Sequence, residues 1–227
     1  MPQFENVNSK VVKAQVRPGQ QVASRRGAML AYVGEVSFYP ANASNAGGGM
    51  GGMGGGSGLM RMAGRAMAGE HTALMVGDGQ GEVYYGYAGM CAEIIHLDGS
   101  QPLTAESRRL LAHDLSLNSS VVFLGRGGVR AMAGAAATGE GLFTTQLVGV
   151  GEVALLAHGD VFRLEVRPDR PIVVDPQAYV GHVGQVSLNV SLNVSWRNAV
   201  GRGSGEAIQL QATGQGTVLV QASEQKF

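Results

Sequence analysis

Gly79-Gln80-Gly81-Glu82-Val83-Tyr84-Tyr85, Gly149-Val150-Gly151-Glu152-Val153-Ala154-Leu155 and Gly214-Gln215-Gly216-Thr217-Val218-Leu219-Val220 are three versions of one phrase. Each reads as a Gly-x-Gly turn followed by a β-prone run, the pattern of a tight turn between two strands. Eight or nine residues before each turn stands a Gly-Glu pair: Gly69-Glu70, Gly139-Glu140 and Gly205-Glu206. Nine or ten residues before each of those glutamates lies an arginine, Arg61, Arg130 or Arg197. The order arginine, Gly-Glu, strand, Gly-x-Gly, strand therefore occurs three times, and such self-similarity outranks local propensity in assigning a fold.

The preceding half of each unit repeats as well. Val16-Arg17-Pro18-Gly19-Gln20-Gln21-Val22 lies over Leu97-Asp98-Gly99-Ser100-Gln101-Pro102-Leu103 and over Val166-Arg167-Pro168-Asp169-Arg170-Pro171-Ile172 without a gap. Pro, Gly and Asp in the middle of each window make a turn between two strands. Seven residues further on, Met29 matches Leu110 and Tyr179, then Ala31 matches Ala112 and Gly181. The chain divides into three β units, 1–89, 90–157 and 158–227, which form one compact body, with an insert at about 43–69 in the first. Thr104 to His113 taken alone has the composition of a short helix. Its counterpart Val173 to His182 contains Asp175-Pro176, which an uninterrupted helix does not accommodate. The repeat therefore predicts turn and strand over 104–113.

Strict alternation supports the same class. From Gln185 to Trp196, Val186, Leu188, Val190, Leu192, Val194 and Trp196 alternate with Ser and Asn, the period of a half-buried antiparallel strand. Val161 to Val166 and Thr217 to Val220 are further short strands. Many short strands with regular turns predict an all-β fold of sandwich or barrel character.

Composition bounds the partners. Seventeen basic and seventeen acidic residues in 227 cancel, and only three of the basic ones are lysines, Lys10, Lys13 and Lys226. Such a chain has no basic field for nucleic acid or anionic lipid. No apolar run approaches the roughly 20 residues of a membrane span, so no stable membrane insertion is expected. Met1-Pro2-Gln3-Phe4-Glu5 does not open like a signal peptide, and the one cysteine, Cys91, makes no internal disulfide. Both point to the cytoplasm. Of the 36 glycines, the densest run is Gly47 to Gly58, accompanied by Met50, Met53 and Met60. So little side chain favours a mobile loop, whose thioethers suit contact with a protein partner. It is not a phosphate cradle, because Gly-Lys-Ser/Thr is missing.

The series Val16-Arg17-Pro18-Gly19-Gln20, Arg26-Gly27-Ala28-Met29, the Gly/Met insert, Gly139-Glu140-Gly141-Leu142-Phe143 and Thr213-Gly214-Gln215-Gly216-Thr217 resembles the bacterial branch of the altered-inheritance-of-mitochondria protein family. The resemblance implies a fold similar to the tryptophan RNA-binding attenuation protein: three double-stranded β-helix-like repeats in one chain, assembled as a homotrimeric ring. It implies no settled biochemical activity, and fold-level likeness to an RNA binder supplies no function.

Candidate sites follow from the repeat. Arg61, Arg130 and Arg197 with Glu70, Glu140 and Glu206 are suited either to repeated directional ion pairs or to an anion shared between repeats. His113 and His182 stand at matching places in units two and three, opposite Tyr32 in unit one, and could share a ligand. No His-x-His pair of the cupin kind occurs, so no metal, cofactor or catalytic set is expected. The leading expectation is a non-catalytic scaffold assembled as a homotrimer. A small-molecule or anion-binding module with clefts between repeats is the alternative, and a cupin-like metalloenzyme is a distant third.

Overall fold

In the computed structural model, which describes residues 3–41, 74–123, 143–192 and 208–224, strands make up every regular element except one short 3-10 turn. β1 (Phe4–Asn8), β2 (Val11–Val16) and β3 (Val22–Arg25) lead into a long antiparallel pair, β4 (Met29–Pro40) against β5 (Leu74–Tyr85). β6 (Cys91–Asp98) and β7 (Leu103–Glu106) lead into β8 (Leu110–Asp114) and β9 (Asn118–Phe123), which face β11 (Val150–Ala157) and β10 (Phe143–Val148) respectively. β12 (Val161–Val166) and β13 (Ile172–Val174) lead into β14 (Tyr179–Leu192) against β15 (Ile208–Gln221). The fold is all-β, as the alternation and turn chemistry predict.

The three turn windows fall where the sequence places them. Arg17 and Gln20 bridge the turn between β2 and β3, and Arg167 and Arg170 bridge the one between β12 and β13. The stretch 104–113 is strand, a 3-10 turn at Ser107–Arg109, and strand.

The Gly-x-Gly triplets need a correction, because they do not turn the chain. β5 and β15 run unbroken through Gly79-Gln80-Gly81 and Gly214-Gln215-Gly216. Gly79 and Gly214 have φ of 130° and 111°, and the facing strands carry Gly34 and Gly184 at 103° and 101°. A Cβ on Gly81 would lie 2.2 Å from the Val33 carbonyl oxygen, and one on Gly216 2.3 Å from that of Val183. These glycines let two long strands kink together at close range, a bend rather than a reversal. At the middle triplet the strand breaks at Gly149, and the Asp114 carboxylate fills the space that a Cβ on Gly151 would need.

Two sheets result, in the orders β1-β2-β5-β3-β8-β11-β6, with β4 on β5, and β12-β15-β14-β7-β10-β9, with β13 on β15. Three buried clusters fill the interior. The first joins Val12, Val83 and Tyr85 to Leu111 and Leu156. The second joins Leu103, Leu147 and Leu155 to Val180 and Leu219. The third, built around Val166, Tyr179, Leu210 and Val218, draws among the described residues only on positions 164 to 220. Each large side chain so removed from water contributes about 1.5–3 kcal/mol.

Candidate functional site

Where neighbouring hairpins meet, they pair edge to edge. β3 pairs with β8, placing Val22, Ala23 and Ser24 opposite Asp114, His113 and Ala112. β7 pairs with β14, placing Leu103, Thr104 and Ala105 opposite Val183, His182 and Gly181. One backbone hydrogen bond closes each junction at its end: Leu115 N–H donates to the Gln21 carbonyl at 3.0 Å, and Gly184 N–H to that of Pro102 at 2.9 Å.

The three positions singled out in sequence occupy one register. Tyr32, His113 and His182 face Val83, Val153 and Val218 of their hairpin partners. Their surroundings differ. His113 and His182 are buried in the two junctions, whereas Tyr32 is 48% exposed and rests edge-on against Phe38. His113 Nδ1 lies 2.8 Å from the Asp114 carbonyl oxygen, and His182 Nδ1 lies 2.7 Å from the Tyr179 hydroxyl. Burial lowers both histidines, His182 to about 4, so both are neutral at pH 7. Arg61, Glu70, Arg130, Glu140, Arg197 and Glu206, together with Met50, Met53 and Met60, lie outside the described residues.

Sequence reasoning missed two polar clusters. At the second junction the buried Arg109 guanidinium contacts Glu106 at 3.2 Å, donates to the Gln177 carbonyl at 3.0 Å, and also bonds Gln221. It ties the 3-10 turn of the middle hairpin to the start and end of the last one. At the first junction Glu152 accepts from Phe4 N–H at 2.6 Å and sits 2.7 Å from His96 Nδ1, while its own N–H donates to Asp114 at 2.7 Å. Burial raises the Asp114 carboxyl, opposed in part by the Glu152 N–H that it accepts. Glu152, His96 and Asp114 line a cleft of about 690 Å³ together with Arg17, Gln20 and Gln21. The partners of Glu152 lie 148 and 56 residues away along the chain, beyond any local pattern. Among the described residues, no three His, Cys, Asp or Glu side chains are grouped to hold a metal ion.

Two strand edges complete the picture. β4 pairs only with β5 and β13 only with β15, which leaves the outer edge of each without a partner among the described residues. Met29, Leu30, Tyr32 and Val33 are 41%, 58%, 48% and 63% exposed along β4, and Val173 on β13 is 55% exposed.

A family model described as mitochondrial biogenesis AIM24 matches residues 3–223, nearly the whole of this architecture. The chain belongs to the AIM24 family. This agrees with the family resemblance carried by the Arg-Pro-Gly, Gly-Ala-Met and Thr-Gly-x-Gly stretches. No curated protein matches the AIM24 chain. The X-ray crystal structure of a Streptococcus pyogenes protein, a structural genomics target, is similar to it with a TM-score of 0.69 and 16% identity, over 97% of this chain and 92% of that one. At that identity the likeness concerns the fold alone. Among the described residues of this AIM24 protein, no helix is long and apolar enough to cross a membrane.

Proposed function

We propose that this protein is a non-catalytic β-scaffold of the cytoplasm that works by assembling, as a homotrimeric ring built from three pseudo-repeats per chain. The observation that carries the reading is the outer edge of β4, unpaired among the described residues, where Met29, Leu30, Tyr32 and Val33 stand exposed in a row with no charge among them. Proteins protect such edges with lysine, proline or a bulge, or cover them with another chain. A net charge of zero leaves no long-range repulsion to oppose association. Light scattering at micromolar concentration tests the reading. A mass of three chains is expected, and a clean mass near the 23.5 kDa of one chain would sink it.

The cleft beside Glu152 favours a second reading, a small-molecule module that uses the junctions. Arg17, Gln20, Gln21, His96 and Glu152 converge there with complementary donors and acceptors. A specific ligand at a hundred times its dissociation constant adds about 2.7 kcal/mol of stability. A metabolite panel that leaves the melting temperature flat would remove this reading without touching the first.

A further inference from the structure

Resting on the assembly reading, we infer that the partner of the β4 edge is β13 of a second copy of this chain, paired antiparallel with Ala31, Tyr32 and Val33 opposite Val174, Val173 and Ile172.

The register is set by the two junctions inside the chain. Val22, Leu103 and Ile172 begin the short strands that follow the three turn windows. Tyr32, His113 and His182 hold the same place in the three hairpins. In both internal junctions the second residue of the short strand faces the histidine, Ala23 opposite His113 and Thr104 opposite His182. Carried one step on, Val173 faces Tyr32. The closing bond follows by the same rule. Leu115 and Gly184 donate to Gln21 and Pro102, so Gly34 N–H donates to the Pro171 carbonyl of the neighbouring copy.

Burial supports the same partner independently. Leu110 and Leu111 are 4% and 0% exposed, whereas Met29 and Leu30 in the matching places are 41% and 58% exposed. The first core cluster takes Leu111 from the next hairpin along the chain, and the second takes Val180. Among the described residues, the third cluster takes nothing from a hairpin beyond β14 and β15. Leu30 has the place of Leu111 and Val180, and a second copy would bring it over that third cluster.

The surface beside β4 fits the turn that must arrive with β13. A groove of about 510 Å³ lies along Val33, Gln80, Gly81 and Glu82. The incoming turn carries Arg167 and Arg170, and the Glu82 carboxylate in the groove is 36% exposed. At the first internal junction the corresponding turn sets Arg17 in the same cleft as Glu152. Because one edge is given and a different edge is received, the contact is head-to-tail. It leaves an open edge at each end until a ring closes.

The test uses the full chain with Cys91→Ser. Tyr32→Cys with Val173→Cys places two thiols at directly opposed positions, close enough for a disulfide. Tyr32→Cys with Phe162→Cys serves as the control, since Phe162 is 48% exposed on β12. Mild oxidation is expected to link chains through the first pair and not the second. Val173→Lys, at a residue exposed in the single chain, is expected to weaken association by at least about 100-fold while preserving the circular dichroism spectrum. An oligomer that keeps its mass with Val173→Lys and fails to crosslink through Tyr32 and Val173 overturns the interface and leaves the scaffold reading standing. A wild-type chain that is monomeric at every concentration overturns both.

Discussion

His182 carries the clearest residue-scale consequence. It is 3% exposed, its Nδ1 meets the Tyr179 hydroxyl, and desolvation lowers its pKa to about 4. In the unfolded chain a histidine takes up its proton near pH 6.5. Between those two values the unfolded state binds more protons than the folded one, so stability is complete above about pH 6.5 and falls with acid toward pH 4. Denaturant titration at pH 7 and pH 5 should show a loss on the order of 2 kcal/mol from this group. His113, lowered by the same cause, adds to that loss. His182→Gln keeps a neutral partner for Tyr179 and should remove the His182 share. An unchanged pH slope in that variant would show that His182 does not titrate on unfolding. The alignment of the two histidines was visible in the sequence, but their role was not. A buried, neutral junction histidine and a ligand-binding one have the same spacing, and the pairing of β3 with β8 and β7 with β14 shows only that both residues lie in the junctions.

At the scale of elements, what could be read depended on whether the information was local. The turn windows carried Pro, Gly and Asp at fixed places, and all three are turns between strands. The stretch 104–113 had helical composition and became strand, 3-10 turn and strand because Arg109 is drawn inward to Glu106, Gln177 and Gln221, and because Leu110 to Asp114 complete a ladder with β3 and β11. Tertiary pairing outweighed propensity there, and comparison with Asp175-Pro176 was the signal that revealed it. The Gly-x-Gly triplets bend paired strands rather than reverse them, for the opposite reason. A glycine pair allows either a reversal or a close crossing, and the deciding residues, Gly34 and Gly184, stand on the facing strands about 45 and 30 positions away. The Glu152 site had no local signal at all, since the sequence gives no reason to bring Phe4 and His96 to one carboxylate.

For the whole molecule, the chain is polar in the mechanical sense: β3 is handed forward to β8 and β7 to β14, while the outer edges of β13 and β4 have no partner among the described residues. Two of these exchanges are intramolecular and independent of concentration. In the proposed assembly the third, between β13 and the outer edge of β4 of another copy, would be intermolecular and subject to mass action. That assembly would link folding to association, so the apparent stability should depend on how much protein is present. If three chains close the ring, a tenfold dilution lowers stability by about 1 kcal/mol per chain, and for a chain of this length that corresponds to about 2–4 °C in melting temperature. Calorimetry at 1 and 100 μM should show the shift, doubled over the hundredfold range. Val33→Glu, which places a charge on the exposed β4 edge, should abolish the dependence while the transition stays cooperative, because the core clusters within the chain do not include Val33. Identical melting temperatures for the wild type at both concentrations would mean that the open edges do not hold the molecule together.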